Sequence, residues 1–185
     1  MKKPLLIVIT GRPASGKTTL AHLLAREIKY PLLSRDEFKE GYINTAECCH
    51  NQLDKTVTRD IYETFFKAVD LLISANISLI IEAAFQHKLW EPKLSNYLGK
   101  AQVRIVVCEL PPLLAKTRFI NRALNDQDRE RFHGDLSLNS ANELVGVPIA
   151  SYEAPILPVP ILQVDTTDGY NPNLSKIVKF IKLKS

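Results

Sequence analysis

The residues Gly11-Arg12-Pro13-Ala14-Ser15-Gly16-Lys17-Thr18 satisfy the spacing G-x-x-x-x-G-K-[ST]. Each residue type in that pattern has a task in holding phosphate. Gly11 and Gly16 permit backbone conformations and close approaches that a Cβ would block. The amides from Arg12 through Thr19, with Pro13 alone lacking a donor, then line a concavity at a helix N-terminus. The positive end of the helix dipole suits an anion there. Lys17 is expected to reach the β- and γ-phosphates of a nucleotide, and the Thr18 hydroxyl to ligate Mg²⁺. The pattern predicts ATP and Mg²⁺ as cofactors.

Two carboxylates stand out beyond this loop. Asp36 follows an apolar piece, Tyr30 to Leu33, and Glu82 interrupts the otherwise apolar run ISLIIEAA from Ile77 to Ala84. An acid inside such a run is costly to bury unless it is paired, hydrogen-bonded or metal-facing. Glu82 is therefore a candidate second metal residue beside Thr18, with substrate contact and a structural arginine as alternatives. Asp36 is a candidate catalytic residue; its bland alternative is an acid in the first turn of a helix, worth a few tenths to about 1 kcal/mol. Arg118 and Arg122 are four apart and so share a helix face. With Arg129 and Arg131 they lead into the turn-rich stretch NDQDRERFHGDL. Guanidinium groups there suit the clamping of a transferring phosphate. The competing reading is a salt-bridged surface, because Asp126, Asp128 and Glu130 are interleaved.

The elements needed to position these residues are legible as alternating strands and helices. Leu5 to Ile9 reads as a buried strand ended by Thr10, and Leu20, Leu23 and Leu24 give the following helix. Tyr30 to Leu33 is a second strand. Ser34 can cap a short helix from about Asp36, and Tyr42 to Asn51 reads as a loop. Val57, Ile61, Phe65, Val69 and Leu72 mark a long amphipathic helix. A third strand spans Ile77 to Ala84, with helical pattern from Lys88 to Leu98. Val103 to Leu110 is a fourth strand, and Pro111-Pro112 opens the helix of Arg118 and Arg122. Ser137 to Val145 reads as a further helix, Pro160 to Val164 as a fifth strand and Leu174 to Leu183 as a final helix. Strands separated by helices predict a parallel sheet covered on both faces, with the ligand at the carboxyl ends of the strands. The loop, Asp36, Glu82, the arginines and Asp165 to Asp168 should all meet at that edge.

GRPASGKTTLA after the first strand, LLSRDEF after the second, LIIEAAF in the third, an R-x-x-x-R helix and a VDTT turn together resemble the small P-loop kinases. More narrowly, the chain resembles the group of AAA-type ATP-binding kinases that includes polynucleotide 5′-hydroxyl kinase, chloramphenicol phosphotransferase and zeta-toxin-like kinases. The resemblance implies an α/β protein with a three-layer α/β/α P-loop NTPase fold. Its sheet would be five-stranded and parallel, of adenylate-kinase type, with a lid after strand four. It implies Asp36 as base or orienter for an acceptor hydroxyl. Lid arginines matching Arg118, Arg122 and one of Arg129 or Arg131 would bind nucleotide phosphates or stack on the base. Glu82 stands where many relatives have an aspartate. Residues 41 to 55 match no acceptor signature.

The expected organisation is one domain over residues 1–185, with a lid at about 124–136 and an acceptor-side segment at about 36–55. The mild net charge of +4 neither demands nor excludes an acidic partner. A small-molecule hydroxyl acceptor is favoured; a nucleic-acid 5′ end fits but is not favoured, since basic residues are offset by acids. Asn51-Gln52-Leu53-Asp54 lacks the lysine of a guanine-reading N-K-x-D. The alternative to a kinase is a P-loop NTPase or ATP-binding regulator without a dedicated acceptor. Three cysteines without C-x-x-C spacing argue for a reducing cytoplasm, and the Cys48-Cys49-His50 run lacks zinc-ligand spacing. No apolar run reaches the length of a membrane span. The oligomeric state is left open.

Overall fold

The computed structural model describes residues 2–126, 128–134 and 152–183. Five strands form one sheet in the order β2-β3-β1-β4-β5, every pair parallel. β1 (Leu5–Gly11) is central, flanked by β3 (Leu79–Glu82) and β4 (Gln102–Glu109). β2 (Leu32–Ser34) and β5 (Ile161–Asp165) form the edges. Side chains alternate across the pleat, so β1 serves two cores. Ile7 and Ile9, with Ile80, Val106 and Val164, pack on one face against Leu20, Leu24, Ile177 and Ile181. Those four come from α1 (Lys17–Ile28) and α7 (Leu174–Lys182). Leu6 and Val8, with Leu79, Ile81 and Ile105, face Phe65, Phe66, Val69, Trp90 and Leu94 of α3 (Lys55–Ser74) and α4 (His87–Ser95). Burial on both sides explains why β1 reads as an unbroken apolar run rather than an alternating one. Among the described residues no helix is long and apolar enough to cross a membrane.

The fold class and strand order of events agree with expectation, while several boundaries differ. β1 continues past Thr10 to Gly11, pairing there with Cys108. The stretch expected as a loop from Tyr42 is helical to Thr45, within α2 (Arg35–Thr45). The short helix expected from about Asp36 is thus present, and Gly41, costing about 1 kcal/mol inside a helix, and a buried Lys39 in place of an apolar residue hide its continuation from a periodicity search. A short 3₁₀ turn, His50–Gln52, follows it. Asp54 then caps α3 by accepting the Val57 N–H at 2.8 Å. The helix expected to run to Leu98 stops at Ser95. α5 (Pro112–Asn125) takes in Leu124 and Asn125, so the described part of the expected lid is α6 (Asp128–His133) with Asp126 and Gly134. The helix expected at Ser137 to Val145, and the lid positions 127, 135 and 136, lie outside the described residues.

Candidate functional site

The P-loop runs from the end of β1 into α1 with Gly16 as N-cap. Gly11 has φ +151°, and a Cβ on it would stand 2.5 Å from the Cys108 carbonyl oxygen and 2.7 Å from Ser15 Oγ. The requirement at Gly11 is close packing. Gly16 has φ +78° with nothing near a hypothetical Cβ, so its requirement is backbone conformation and an open approach for a ligand. The loop is moored from β5: Thr166 Oγ1 lies 2.8 Å from the Ser15 carbonyl and 2.9 Å from that of Glu109. It is also moored from below. Thr10 Oγ1 accepts the Trp90 indole N–H at 3.0 Å and lies 2.7 Å from the Tyr152 hydroxyl. Burial pushes that phenol up to about 12.

Beside the loop, parallel pairing sets Ser34, Glu82 and Ile9 in one row across β2, β3 and β1. The Ser34 hydroxyl donates to Glu82 Oε2 at 2.8 Å. Glu82 Oε1 is buried without a hydrogen-bond partner among the described residues and lies 3.7 Å from Lys17 Nζ. Burial pushes the Glu82 carboxyl above the usual range, with Lys17 and the Ser34 hydroxyl drawing it part of the way back. Asp36 goes the other way. Burial alone would raise it, but the Arg35 guanidinium, in contact at 3.0 Å, together with Lys17, holds it below the usual carboxylate range. Neighbouring acids are thus separated: Asp36 stays ionised where Glu82 more readily takes a proton.

A cleft of about 320 Å³ brings the two ends of this chemistry together. Pro13, Lys17 and Thr18 line one side of it, and Ser34, Asp36, Lys39 and Glu40 another. Arg122, Arg129 and His133 also reach it. Of the arginines singled out from sequence, Arg118 stands apart. Its guanidinium donates to the carbonyls of Thr166 at 3.0 Å and Thr167 at 2.7 Å, beyond β5. Arg131 lies over the Phe132 ring at 5.0 Å and is exposed. Arg12 lines a separate cavity with Leu110, Tyr152, Asp165 and Thr167.

For Mg²⁺ the donor set fits. This ion keeps most of its water and takes one or two protein oxygens alongside nucleotide phosphates. The Thr18 hydroxyl at the head of α1 and Glu82 Oε1, which among the described residues has Lys17 beside it and no hydrogen-bond partner, are such oxygens. Among the described residues there is no cluster of three or more His, Cys, Asp or Glu side chains that could hold a metal ion.

Several contributors were not visible in the sequence. Lys39 and Glu40 follow Asp36 by three and four residues, a same-face spacing that marks them in retrospect. His133 and its contact with Glu40, 2.9 Å across 93 positions, carry no local signal. Neither does the packing of Gly134 against the His50 ring, nor the tie from Thr166 to the P-loop.

A family model described as an AAA domain matches residues 6–136. No curated protein matches the chain. Solved structures of the same fold do. One, from Chloroflexus aurantiacus, has kinase activity by assignment only; it is 26% identical, with a TM-score of 0.74, over 98% of this chain and 96% of its own. A sugar kinase from a Janibacter species is 17% identical, with a TM-score of 0.62, over 97% and 94%. Mycobacterium tuberculosis APS kinase, solved with AMPPNP and APS, is 13% identical, with a TM-score of 0.63, over 99% and 100%.

Proposed function

The chain belongs to the AAA-domain family and has the fold of the small P-loop kinases, and from that premise we propose that it transfers the γ-phosphate of MgATP to a hydroxyl of a small molecule. The observation that carries this reading is the shared cleft in which Lys17 and Thr18 face Asp36. An NTPase needs to position only water, whereas a kinase needs a second wall for an acceptor. α2 and α6 supply one.

The chemistry asks the protein mainly for positioning and charge. The P-loop amides and Lys17 hold the β- and γ-phosphates, with Arg122 placed to meet charge that develops on the transferring group. Arg118 orders the loop after β5 that borders the nucleotide. Thr18, with Glu82 bearing on the ion's water shell, would hold Mg²⁺, which would supply neutralisation of phosphate charge. Asp36 accepts a hydrogen bond from the acceptor hydroxyl and aims its oxygen at the γ-phosphorus. A new O–P bond forms as the bond to the β-phosphate oxygen breaks; ADP leaves, and the hydroxyl proton passes through Asp36 to water. With its carboxyl held low, Asp36 is a weak base, so it orients first and takes the proton late. Residues 128–134 act as the lid and 36–55 as the acceptor side of one domain.

A screen of hydroxyl compounds for acceptor-dependent ADP release tests the proposal. Release at the same rate with and without every acceptor would favour the NTPase reading instead. Oligonucleotide binding with a steep salt dependence would favour a nucleic-acid 5′ end.

A further inference from the structure

At the amino-terminal edge of the sheet, opposite the P-loop, lies a further polar cavity of about 280 Å³. Lys2, Lys3 and Lys182 border it, with Asn76, Ser78 and Gln102 supplying amide and hydroxyl groups. Its described lining contains no aspartate or glutamate. A strand rises about 3.3 Å per residue, so the length of β1 sets this cavity about 20 Å from the phosphate-binding loop. No part of the nucleotide chemistry uses it.

A lone lysine near a chain end is ordinarily a solvated charge, and Lys182, in the last turn of α7, also suits the negative end of that helix. Here, however, all three lysines border one concavity, and its walls are fixed. Pro4 is buried and its carbonyl accepts the Gln102 N–H at 2.8 Å. The next amide, that of Leu5, donates to Ser78 Oγ at 2.9 Å. Those two bonds hold the backbone that carries Lys2 and Lys3 against the starts of β3 and β4. On the other wall, buried Arg104 donates to the Leu183 carbonyl and holds the end of α7. None of the three ammonium groups has an ion-pair or hydrogen-bond partner among the described residues. Ser78 Oγ, already an acceptor, keeps its own proton to donate. Like charges around one concavity repel one another, and an anion seated between them relieves that repulsion.

We propose that this cavity binds a small, multiply charged phosphate anion, either inorganic phosphate or a short polyphosphate, held by Lys2, Lys3 and Lys182 with Ser78 as hydroxyl donor. Its volume falls just below the roughly 300–1,000 Å³ of sites for drug-sized ligands, which suits a compact anion better than a whole nucleotide. The site is independent of the phosphotransferase reading, since it draws on no residue of the catalytic edge.

The test uses the full chain, isotope-labelled for amide NMR and titrated with sodium phosphate, tripolyphosphate or sodium chloride at constant ionic strength. The amides of Lys3, Ser78 and Gln102 should shift and saturate with at least one of the two phosphates, and not with chloride. P-loop amides report phosphate at the catalytic edge separately, so one titration reads both places. The tighter of the two ligands identifies the source as free phosphate or polyphosphate. Lys2→Gln, Lys3→Gln and Lys182→Gln combined should weaken binding about 10-fold, since each exposed charge contact contributes a few-fold at most. Shifts at the P-loop should be unchanged in that variant. All three side chains are exposed, and the wild-type map decides the matter even if the variant fails to fold. Shifts confined to the P-loop, equal shifts with chloride, or undiminished binding in a folded triple variant would overturn the proposal. So would a single-stranded oligonucleotide that binds this edge more tightly than tripolyphosphate, which would make it a nucleic-acid surface.

Discussion

Lys17 Nζ lies 3.7 Å from Glu82 Oε1, and both side chains are nearly inaccessible, at 8% and 1% exposure. The P-loop lysine therefore rests against a carboxylate oxygen that has no hydrogen bond among the described residues. A nucleotide must compete for the lysine, and removing either partner strands the other in a low-dielectric setting.

Lys17→Ala is accordingly expected to do two things. Nucleotide affinity should fall by about 10- to 100-fold, the scale of one charged hydrogen bond or more. Stability should fall on the order of 3 kcal/mol, as expected for breaking a buried pair. Adding Glu82→Gln should recover part of the stability and none of the affinity. Urea unfolding of the single and double variants decides this; a double variant no more stable than Lys17→Ala would remove the electrostatic account.

Asp36→Asn keeps the size of the side chain and loses its charge. Acceptor phosphorylation should drop by about 10²- to 10⁴-fold with ATP affinity largely kept. Slow acceptor-independent hydrolysis should fall much less. Collapse of ATP affinity together with transfer would move Asp36 to the metal site.

The pH dependence follows from the sign of the Asp36 shift. A carboxyl held below 3.8 contributes stability that is present above that unfolded value and lost as pH falls through the lower folded one. Asp36 is thus ionised throughout the neutral and mildly acidic range, and transfer by the wild type should show no acid limb from it above about pH 5. A limb near pH 6 that vanishes in Asp36→Asn would contradict this.

The two P-loop glycines should fail differently. Gly11→Ala forces a Cβ to 2.5 Å from a backbone oxygen, an overpacking that costs about 1–3 kcal/mol or more. Gly16→Ala meets no atom and carries only the left-handed strain, about 1–2 kcal/mol. Gly16→Ala should instead lose nucleotide binding disproportionately, measured against the thermal unfolding midpoints of both. Equal stability losses would contradict the packing argument.

Amide exchange over residues 128–133 should slow when nucleotide and acceptor are both present, because α6 borders the cleft and closure over substrate orders such a segment. Glu40→Gln, which removes the charge facing His133, should speed exchange there. Unchanged exchange in both experiments would make α6 a static surface.

What the sequence made legible was whatever local spacing encodes. The P-loop, the apolar run of β1 and the periodicity of α3 are each read within a single element. Asp36 and Glu82 could be placed beside the P-loop because a parallel sheet delivers every strand end to one edge. Lys39 was missed because a buried lysine on a helix looks like a solvated one until its neighbours are known. The Glu40–His133 contact was missed because no spacing rule spans so much chain. Arg118 and Arg122 share a helix face, as their spacing requires, yet Arg118 bonds the loop after β5 while Arg122 reaches the cleft. The turn from one to the other is a tertiary fact.

Trp90 is the protein's one tryptophan. Its indole N–H is bonded to the hydroxyl of Thr10, the residue immediately before the P-loop, in a core that excludes water. The molecule therefore carries a single tryptophan emitter, excitable apart from its six tyrosines, wired to the floor of its phosphate-binding loop. Its wavelength and yield respond to the hydrogen bond at Thr10, so loading of the loop can be followed by the protein's own fluorescence, without a dye, in every variant that leaves Trp90 in place.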